Sequence, residues 1–216
     1  EHLVFSGDLS QEHTEMGYRQ LANALHDWIE CSSFVPGNHD DRQELINVFP
    51  QPKSNATCVT FRVTAGEWQI IGLDSHSPGN VFGELSAPQL EILANWIAED
   101  RSRPTLLFLH HPPISVESPC LDPLVLQNGT DLAEAISGTG VRGIFCGHVH
   151  HEYEGDLAGV PVYTTPSTAF QFKPHTDRPA MDPQPPGWRS IMLEEDIFTT
   201  NVHRLDTIDD IPTLAT

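Results

Sequence analysis

The chain has 216 residues, 38% of them apolar and 19% charged, so its length and composition favour one ordered α/β domain over residues 1–216 and exclude widespread disorder. Eleven basic residues stand against thirty acidic ones, and the formal charge of −19 argues against a nucleic-acid partner. A small anionic substrate is still compatible with this charge, because bound cations would reverse it locally.

The four cysteines are widely spaced and form no Cys-x-x-Cys pair. This favours free buried thiols over a zinc site or disulfides, and it indicates a reducing, cytoplasmic location. No apolar run approaches the roughly 18–20 residues needed to cross a bilayer, so we expect no membrane partner. The chain starts at Glu1, and its first residues already have the pattern of a strand. We therefore expect an N-terminally incomplete domain.

The first part of the chain alternates short apolar strands with one amphipathic helix. Leu3–Phe5 is predicted to be a buried strand that delivers Asp8, and Phe34–Val35 a second strand that leads into the turn Gly37–Asp40. Between them, Glu15–Glu30 has the apolar periodicity of a helix. Its predicted buried stripe consists of Leu21, Leu25, Trp28 and Ile29.

The rest of the chain is predicted to contain strands separated by turns, together with two helices. A capping box at Ser86–Gln89 marks the start of the first of these helices. Five prolines fall within 174–187, which predicts an extended surface loop. The other predicted elements are the strands Thr57–Thr64, Trp68–Leu73, Thr105–Leu109, Gly143–Cys146, Val160–Thr165, Arg189–Leu193 and Phe198–His203 and the helix Asp131–Ile136.

Polar side chains follow four of the predicted strands directly. Ligands gather at the carboxyl ends of strands in open α/β sheets, so these turns are expected to meet. A single strand-end histidine is more often structural, but four turns that carry only Asp, Asn and His favour a shared site. Imidazole, carboxylate and amide ligands without thiolate favour Mn, Fe or Zn. The side chains concerned are Asp8, Asn38, His39, His110, His148 and His150.

The spacing of His148 and His150 bears on how many metal ions the predicted site would hold. His148 and His150 are separated by one residue, so an extended backbone would turn their side chains to opposite sides and favour two neighbouring ions over one. The two oxygens of Asp8 could bridge such a pair. His39 could donate a proton while Asp40 holds its ring in one tautomer, although Asn, His and Asp are also common in turns for backbone reasons alone.

These motifs resemble those of the calcineurin-like metallophosphoesterases in order and approximate separation, and most closely those of the bacterial class III 3′,5′-cyclic-nucleotide phosphodiesterases. The likeness covers residues 3–205. The metal motifs are Gly7-Asp8, Gly37-Asn38-His39-Asp40, His110 and Gly147-His148-Val149-His150. The narrower likeness is carried by Leu73-Asp74-Ser75, Gly83-Glu84-Leu85, His110-His111-Pro112, Thr165-Pro166-Ser167-Thr168, Gln171-Phe172-Lys173-Pro174-His175 and Pro186-Gly187-Trp188-Arg189.

The resemblance implies a four-layer αββα sandwich with two mixed β-sheets and two divalent or trivalent metal ions, Fe and/or Mn, with Zn as an alternative. Members of the family carry an Asp-x-His motif on an opening strand, and it supplies two ligands to the second ion. That motif is absent from this sequence. We therefore expect the sheet to lack its first strand and the second metal site to be incomplete. The implied metal ligands are Asp8 as the bridge, Asn38, His110 and His148 for one ion, and His150 for the other.

The activity that the resemblance implies is hydrolysis of 3′,5′-cyclic AMP to the 5′-monophosphate, by attack of a metal-bridging hydroxide. Asn38 and His39 would contact the phosphate, His39 would stabilise or protonate the leaving alkoxide, and His150 would also contact the substrate. One alternative is a phosphodiesterase for glycerophosphodiesters or other small phosphate esters, because one fold and site can host several substrates. Another is an inactive one-metal fragment or a nucleotide-binding protein. Either way the expected partner is a small molecule.

Overall fold

A computed structural model describes residues 1–11, 14–49, 54 and 57–207. In this part of the chain no helix is both long and apolar enough to cross a bilayer. The helices are α1 Glu15–Ala24, α2 Arg42–Val48, α3 Ala87–Glu99 and α4 Gly129–Ile136. The strands are β1 Leu3–Ser6, β2 Ser32–Val35, β3 Phe61–Ala65, β4 Trp68–Gly72, β5 Thr105–Leu109, β6 Val141–Cys146, β7 Glu154–Leu157, β8 Val160–Thr164, β9 Gln171–Phe172, β10 Met181–Asp182, β11 Gly187–Glu194 and β12 Ile197–Arg204.

The core is a six-stranded mixed sheet with the order β3-β4-β5-β6-β8-β7. Its four inner strands are parallel, and β3 and β7 are antiparallel to their neighbours at the two edges. Every residue of β5 is buried, as expected for a parallel strand that is covered on both faces. Leu107 and Leu109 pack against the side that α3 and α4 cover, whereas Leu106 and Phe108 point to the opposite face.

A second β layer covers that opposite face. It consists of the parallel pair β1–β2 and the antiparallel hairpin β11–β12. Val4 and Val35 from the first pair and Ile191 and Phe198 from the second join the same apolar cluster as Leu106. In the described residues β1 pairs only with β2, and the predicted second sheet takes the form of two separate strand pairs.

Two helices cover the outer side of β1–β2. The rings of Phe5 and Phe34 stack at 5.0 Å between centroids, and they pack in one cluster with Tyr18 of α1 and Leu45 of α2. The chain is therefore arranged as helices, sheet, strand pairs and helices, in the order of the predicted αββα sandwich. This confirms the predicted mixed α/β class.

The first predicted helix is shorter than expected. It ends at Ala24 instead of Glu30, and the predicted stripe residues Trp28 and Ile29 are 45% and 36% exposed. The chain turns through a short 3₁₀ segment, and the hydroxyl of Ser32 donates to the Trp28 carbonyl at 2.7 Å. Of the predicted stripe, Leu21 and Leu25 pack in one apolar cluster with Leu45 of α2, whereas Trp28 and Ile29 lie beyond the end of the helix.

Three other details differ from the sequence-based expectation. The helix α3 begins where the capping box predicts, but the Gln89 amide oxygen accepts from the Asp74 backbone N–H at 3.1 Å and Ser86 makes no side-chain cap. The proline-rich segment 174–187 contains the two-residue strand β10 and ends at the first residue of β11. The edge strand β7 has no clear apolar alternation and was not predicted.

Candidate metal centre

Four polar turns meet where the two β layers face each other. Asp8 follows β1 and Asn38 follows β2, so both come from the strand pair. His110 follows β5 and His148 follows β6, so both come from the six-stranded sheet. The structure thus brings together four of the side chains that the sequence singled out, two from each layer.

The possible ligand atoms of these four side chains lie unusually close to one another, and they do not form a single ordinary chain of hydrogen bonds. His110 Nε2 lies 3.3 Å from Asp8 Oδ2 and 3.3 Å from Asn38 Oδ1. His148 Nδ1 lies 3.1 Å from Asn38 Oδ1 and 3.2 Å from His110 Nε2. Ligand atoms bound at about 2.1 Å with tetrahedral or octahedral angles are separated by about 3.0–3.4 Å. The donor set therefore fits one metal ion.

The tautomer of His110 favours this arrangement. Its Nδ1–H donates to the carbonyl of Ser6 at 2.6 Å, so Nε2 faces the other ligand atoms and carries the lone pair when the ring is neutral. On His148 the Nε2 atom is buried and has no hydrogen-bond partner in the part of the chain that is described. Such an orphaned polar atom beside the cluster is a further sign that the pocket is built for a bound group.

The charge states of Asp8 and His148 suit metal binding, whereas His110 has to lose a proton when it is charged. Burial, followed by the nearby His110, lowers the pKa of His148 to about 3, so this imidazole is neutral at pH 7. For Asp8, burial acts to raise the pKa, but the charge and the hydrogen bond of His110 hold it well below its usual range. For His110, burial acts to lower the pKa, but Asp8 raises it above its usual value. A carboxylate and neutral imidazoles are the forms that bind metals.

The backbone of the site is strained at the ligand positions. Asp8, His148 and His150 have φ values of 58°, 68° and 51°, which non-glycine residues rarely adopt. Such strain is characteristic of functional sites. The left-handed conformation also means that the argument from an extended His148–His150 backbone is wrong, because Val149 N–H bonds back to the Gly147 carbonyl at 2.8 Å and closes a tight turn.

His150 lies in a separate environment beside the cluster. Its ring stacks on Phe172 at 4.8 Å and meets the edge of Phe170 at 4.7 Å between centroids. Burial lowers its pKa to about 4, and its Nδ1 atom has no partner among the described residues. The described hydrogen bonds do not link it to the other four side chains, and a cavity of about 500 Å³ borders both His150 and Asp8.

The turn that carries Asn38 and His39 is fixed by the carboxylate of Asp40. That carboxylate accepts hydrogen bonds from the backbone N–H groups of Leu9, Ser10 and Gly37, at 3.0, 3.2 and 2.8 Å, and from the hydroxyl of Tyr18 at 3.0 Å. Asp40 therefore has the orienting role that the sequence indicates, and it orients the backbone of this turn. The half-buried His39 donates its backbone N–H to Asp8 Oδ1 at 3.0 Å.

His111 is close to the cluster but serves a different purpose. Ring nitrogens of His110, His111 and His148 lie within 4.8 Å of one another, so distance alone would include His111 as a ligand. However, its Nδ1 accepts from the Ser75 hydroxyl at 2.9 Å and its Nε2–H donates to the Val81 carbonyl at 3.0 Å. Both nitrogens are already used. Apart from the position of His111 next to His110, nothing in the sequence indicates that its nitrogens bond to Ser75 and Val81.

Comparisons with known proteins bear on the family and the fold of the chain. A family model for calcineurin-like phosphoesterases matches residues 1–152. A Vibrio vulnificus (strain CMCP6) protein named 3′,5′-cyclic adenosine monophosphate phosphodiesterase CpdA is 35% identical over 214 residues, which are 98% of this chain and 77% of that protein. The Escherichia coli (strain K12) protein of the same name is 36% identical over 206 residues, with coverages of 94% and 74%. A dimetal phosphatase from Danio rerio shares the fold, with a TM-score of 0.64 at 14% identity over 91% of this chain and 82% of that one.

Proposed function

Because the chain belongs to the calcineurin-like phosphoesterase family, we propose that it is a metal-dependent phosphodiesterase that hydrolyses 3′,5′-cyclic AMP to 5′-AMP. The observation that carries the proposal is the convergence of Asp8, Asn38, His110 and His148 with ligand atoms 3.1–3.3 Å apart. The relatives named for cyclic AMP hydrolysis match 94% or more of the chain, which supports a cyclic nucleotide as the substrate.

The ligand atoms divide into two groups. Asp8, Asn38, His110 and His148 would hold one ion, and His150 together with Asp8 would hold a second. The unpartnered Nδ1 of His150 supports its assignment as a ligand. Nitrogen and oxygen ligands without thiolate favour Fe and/or Mn, with Zn as an alternative. When bound, the ions neutralise the phosphate oxygens and lower the pKa of the attacking water.

The residues around the metal centre position the substrate and move the proton. Asn38 and His39 lie at the tip of a turn that Asp40 fixes from behind, and the His39 backbone N–H holds this turn against Asp8. Asn38 directs its amide group to the phosphate. His39 donates a proton to the leaving 3′ oxygen as the P–O3′ bond breaks and the bond from water to phosphorus forms.

The experiment measures 5′-AMP released from cyclic AMP by the protein supplied with Mn²⁺. We expect turnover, and we expect His39→Ala to lower kcat by about 10²–10⁴-fold, because general acid catalysis typically contributes that much. The metal content of this variant should remain that of the wild type. His26→Ala is a matched control, because His26 follows the end of α1 and its side chain is 74% exposed.

Two results would contradict the proposal in different ways. Absence of 5′-AMP under these conditions, with glycerophosphodiesters hydrolysed instead, would replace the substrate and leave the reaction class unchanged. Full activity of His39→Ala would remove the proton-donor role. The ion count per chain, measured by mass spectrometry of the digested protein, tests the two-ion assignment separately.

A reducing, cytoplasmic location is part of the proposal. All four cysteines are free, and Cys146 is completely buried at the end of β6. Free thiols in these numbers are typical of proteins from reducing compartments.

A further inference from the structure

His150 lacks the hydrogen bond that orients most histidine ligands. In metal sites the ring nitrogen that does not bind the ion usually donates to a carbonyl or a carboxylate, and this bond fixes the ring. His110 follows the rule through the Ser6 carbonyl, at 2.6 Å. The Nδ1 atom of His150 is shielded from solvent and makes no such bond among the described residues. The orientation of the His150 ring therefore depends on the groups that pack against it.

Two phenylalanine rings contact the imidazole of His150. Phe172 stacks on it, with 4.8 Å between the ring centroids and 19° between the ring planes, and Phe170 meets it at 4.7 Å and 61°. The two phenylalanine rings also contact each other, at 5.4 Å and 79°. Burial has the largest effect on the pKa of His150 and lowers it, and the Phe170 carbonyl opposes this effect as a hydrogen-bond acceptor. We call Phe170 and Phe172 the aromatic clamp.

The segment that carries the aromatic clamp is fixed by other bonds. Gln171 lies between the two phenylalanines and is 1% exposed. Its side-chain amide donates to the Ser167 carbonyl at 2.8 Å and accepts from the Ser167 N–H at 3.2 Å. Phe172 lies in β9 and pairs with Met181 of β10. The two rings are thus attached to a backbone that is held on both sides.

The aromatic clamp borders the metal centre. Phe170 lines the cavity of about 500 Å³ that Asp8, His148 and His150 also line. His150 itself has a φ of 51°, a conformation that a non-glycine residue keeps only where its surroundings hold it. The two rings supply such a hold, because an imidazole in contact with both has little freedom to turn about its side-chain bonds.

We propose that the aromatic clamp positions His150 as a metal ligand and so sets the affinity for the ion that His150 would hold. The inference rests on the ligand assignment made under the proposed function. Phe170 and Phe172 act through the imidazole, which they keep in the orientation that borders the cavity. Without the clamp the ring would have to be ordered when the ion binds, and this loss of conformational entropy would weaken binding.

The first test follows the histidine ring nitrogens by NMR while Zn²⁺ is added to the metal-free protein labelled with ¹⁵N-histidine. His150→Gln identifies the His150 signal. We expect Phe172→Leu to raise the Zn²⁺ concentration that shifts this signal by about two- to tenfold, because one aromatic pair contributes about that factor to an equilibrium constant. The His110 and His148 signals should shift at the wild-type concentration. Phe172→Tyr keeps the ring and should restore the wild-type value for His150.

Phe198→Leu is the matched control. Phe198 also packs among aromatic rings, but it lies against Gly143 near the start of β6, whereas His148 follows the end of that strand. This variant should leave the Zn²⁺ dependence of every histidine signal unchanged. A His150 signal that Zn²⁺ does not shift in the wild type would overturn the inference. Equal profiles of Phe172→Leu and Phe172→Tyr, or an equal change at His110, would overturn it as well.

The second test separates the aromatic clamp from the proposed function. The Zn²⁺ titration uses no substrate, so its result holds even if cyclic AMP is not hydrolysed, in which case only the proposed substrate fails. In the Mn²⁺-dependent reaction we expect Phe172→Leu to need about two- to tenfold more Mn²⁺ to reach the wild-type kcat, with the KM for cyclic AMP unchanged. A lower kcat that saturating Mn²⁺ does not restore would refute the positioning role and leave the proposed function intact.

Discussion

Replacement of Asp40 should damage the protein more than replacement of any exposed carboxylate. The Asp40 side chain is 2% exposed, and it accepts hydrogen bonds from Leu9, Ser10, Gly37 and Tyr18. Through these bonds it ties the turn after β1 to the turn after β2. In Asp40→Ala these donors would face an empty space, and the two turns would lose their common anchor.

The magnitude follows from the number and type of these bonds. A hydrogen bond to a charged group contributes about 1.5–3 kcal/mol, so four of them set an upper bound of about 6–12 kcal/mol. Leu9 is only half buried, so water can enter and satisfy part of the lost bonds. We therefore expect Asp40→Ala to lower the free energy of unfolding by about 3–5 kcal/mol.

The isosteric variant Asp40→Asn refines this estimate. With its amide nitrogen at the Oδ2 position, it would face the Gly37 N–H at the 2.8 Å contact but keep acceptors for Ser10 and Tyr18. The opposite orientation would oppose more donors. We therefore expect the first orientation and a loss of about 2–4 kcal/mol, from one unsatisfied donor and the lost charge.

Urea denaturation of the metal-free protein, followed by tryptophan fluorescence, would measure these losses. Asp27→Ala is the matched control, because the Asp27 side chain is 75% exposed, and its change should stay within about 0.5 kcal/mol. A loss below about 1 kcal/mol in Asp40→Ala, or one equal to that of the control, would refute the view that this carboxylate organises the site.

Two further predictions concern the same turns. Gly7→Ala should lower the free energy of unfolding by about 2–4 kcal/mol, because Gly7 has a φ of +94° and an added Cβ would lie 2.7 Å from Gly37 N. The control is Gly66→Ala, which has open space around it and should lower the free energy of unfolding by about 1 kcal/mol in the same denaturation assay. The affinity for Mn²⁺ should rise about tenfold per pH unit and level off above the raised pKa of His110, because the ion must displace the proton that Asp8 stabilises on His110. His148 and His150, with pKa values of about 3 and 4, contribute no proton at these pH values. Titration calorimetry from pH 5.5 to 8.5 would check the second prediction, and a flat profile would contradict it.

The positions of the four clustered side chains could be predicted from sequence because they depend on a local rule. Short apolar runs identify parallel strands, and the residue that follows each run is delivered to one edge of the sheet. Asp8, Asn38, His110 and His148 each obey this rule and meet in the structure. The starts of α3 and α4 likewise depend on local sequence signals, and both are predicted to within two residues of their observed positions.

The features that escaped prediction depend on contacts between distant parts of the chain. His111 is bonded to Ser75, which lies 36 residues earlier in the chain, and this contact sets its role. From its imidazole alone, His111 would be expected to bind the metal. Gln89 has the sequence position of a capping residue, but Asp74 takes its amide oxygen. The apolar stripe of α1 was extended too far because periodicity cannot show where the neighbouring helix stops covering it. The left-handed backbone at His148 and His150 has no sequence signal comparable to a glycine.

The division of the ligand atoms between the two β layers has a mechanical consequence. The layers share no strand in the described part of the chain; apolar packing and the His110–Ser6 hydrogen bond join them near the site. An ion held as proposed, by Asp8 and Asn38 on one side and His110 and His148 on the other, would link the two layers. Sliding of one layer over the other would break metal bonds, so metal occupancy should govern how slowly amides at this interface exchange with solvent and how long the folded chain survives heating.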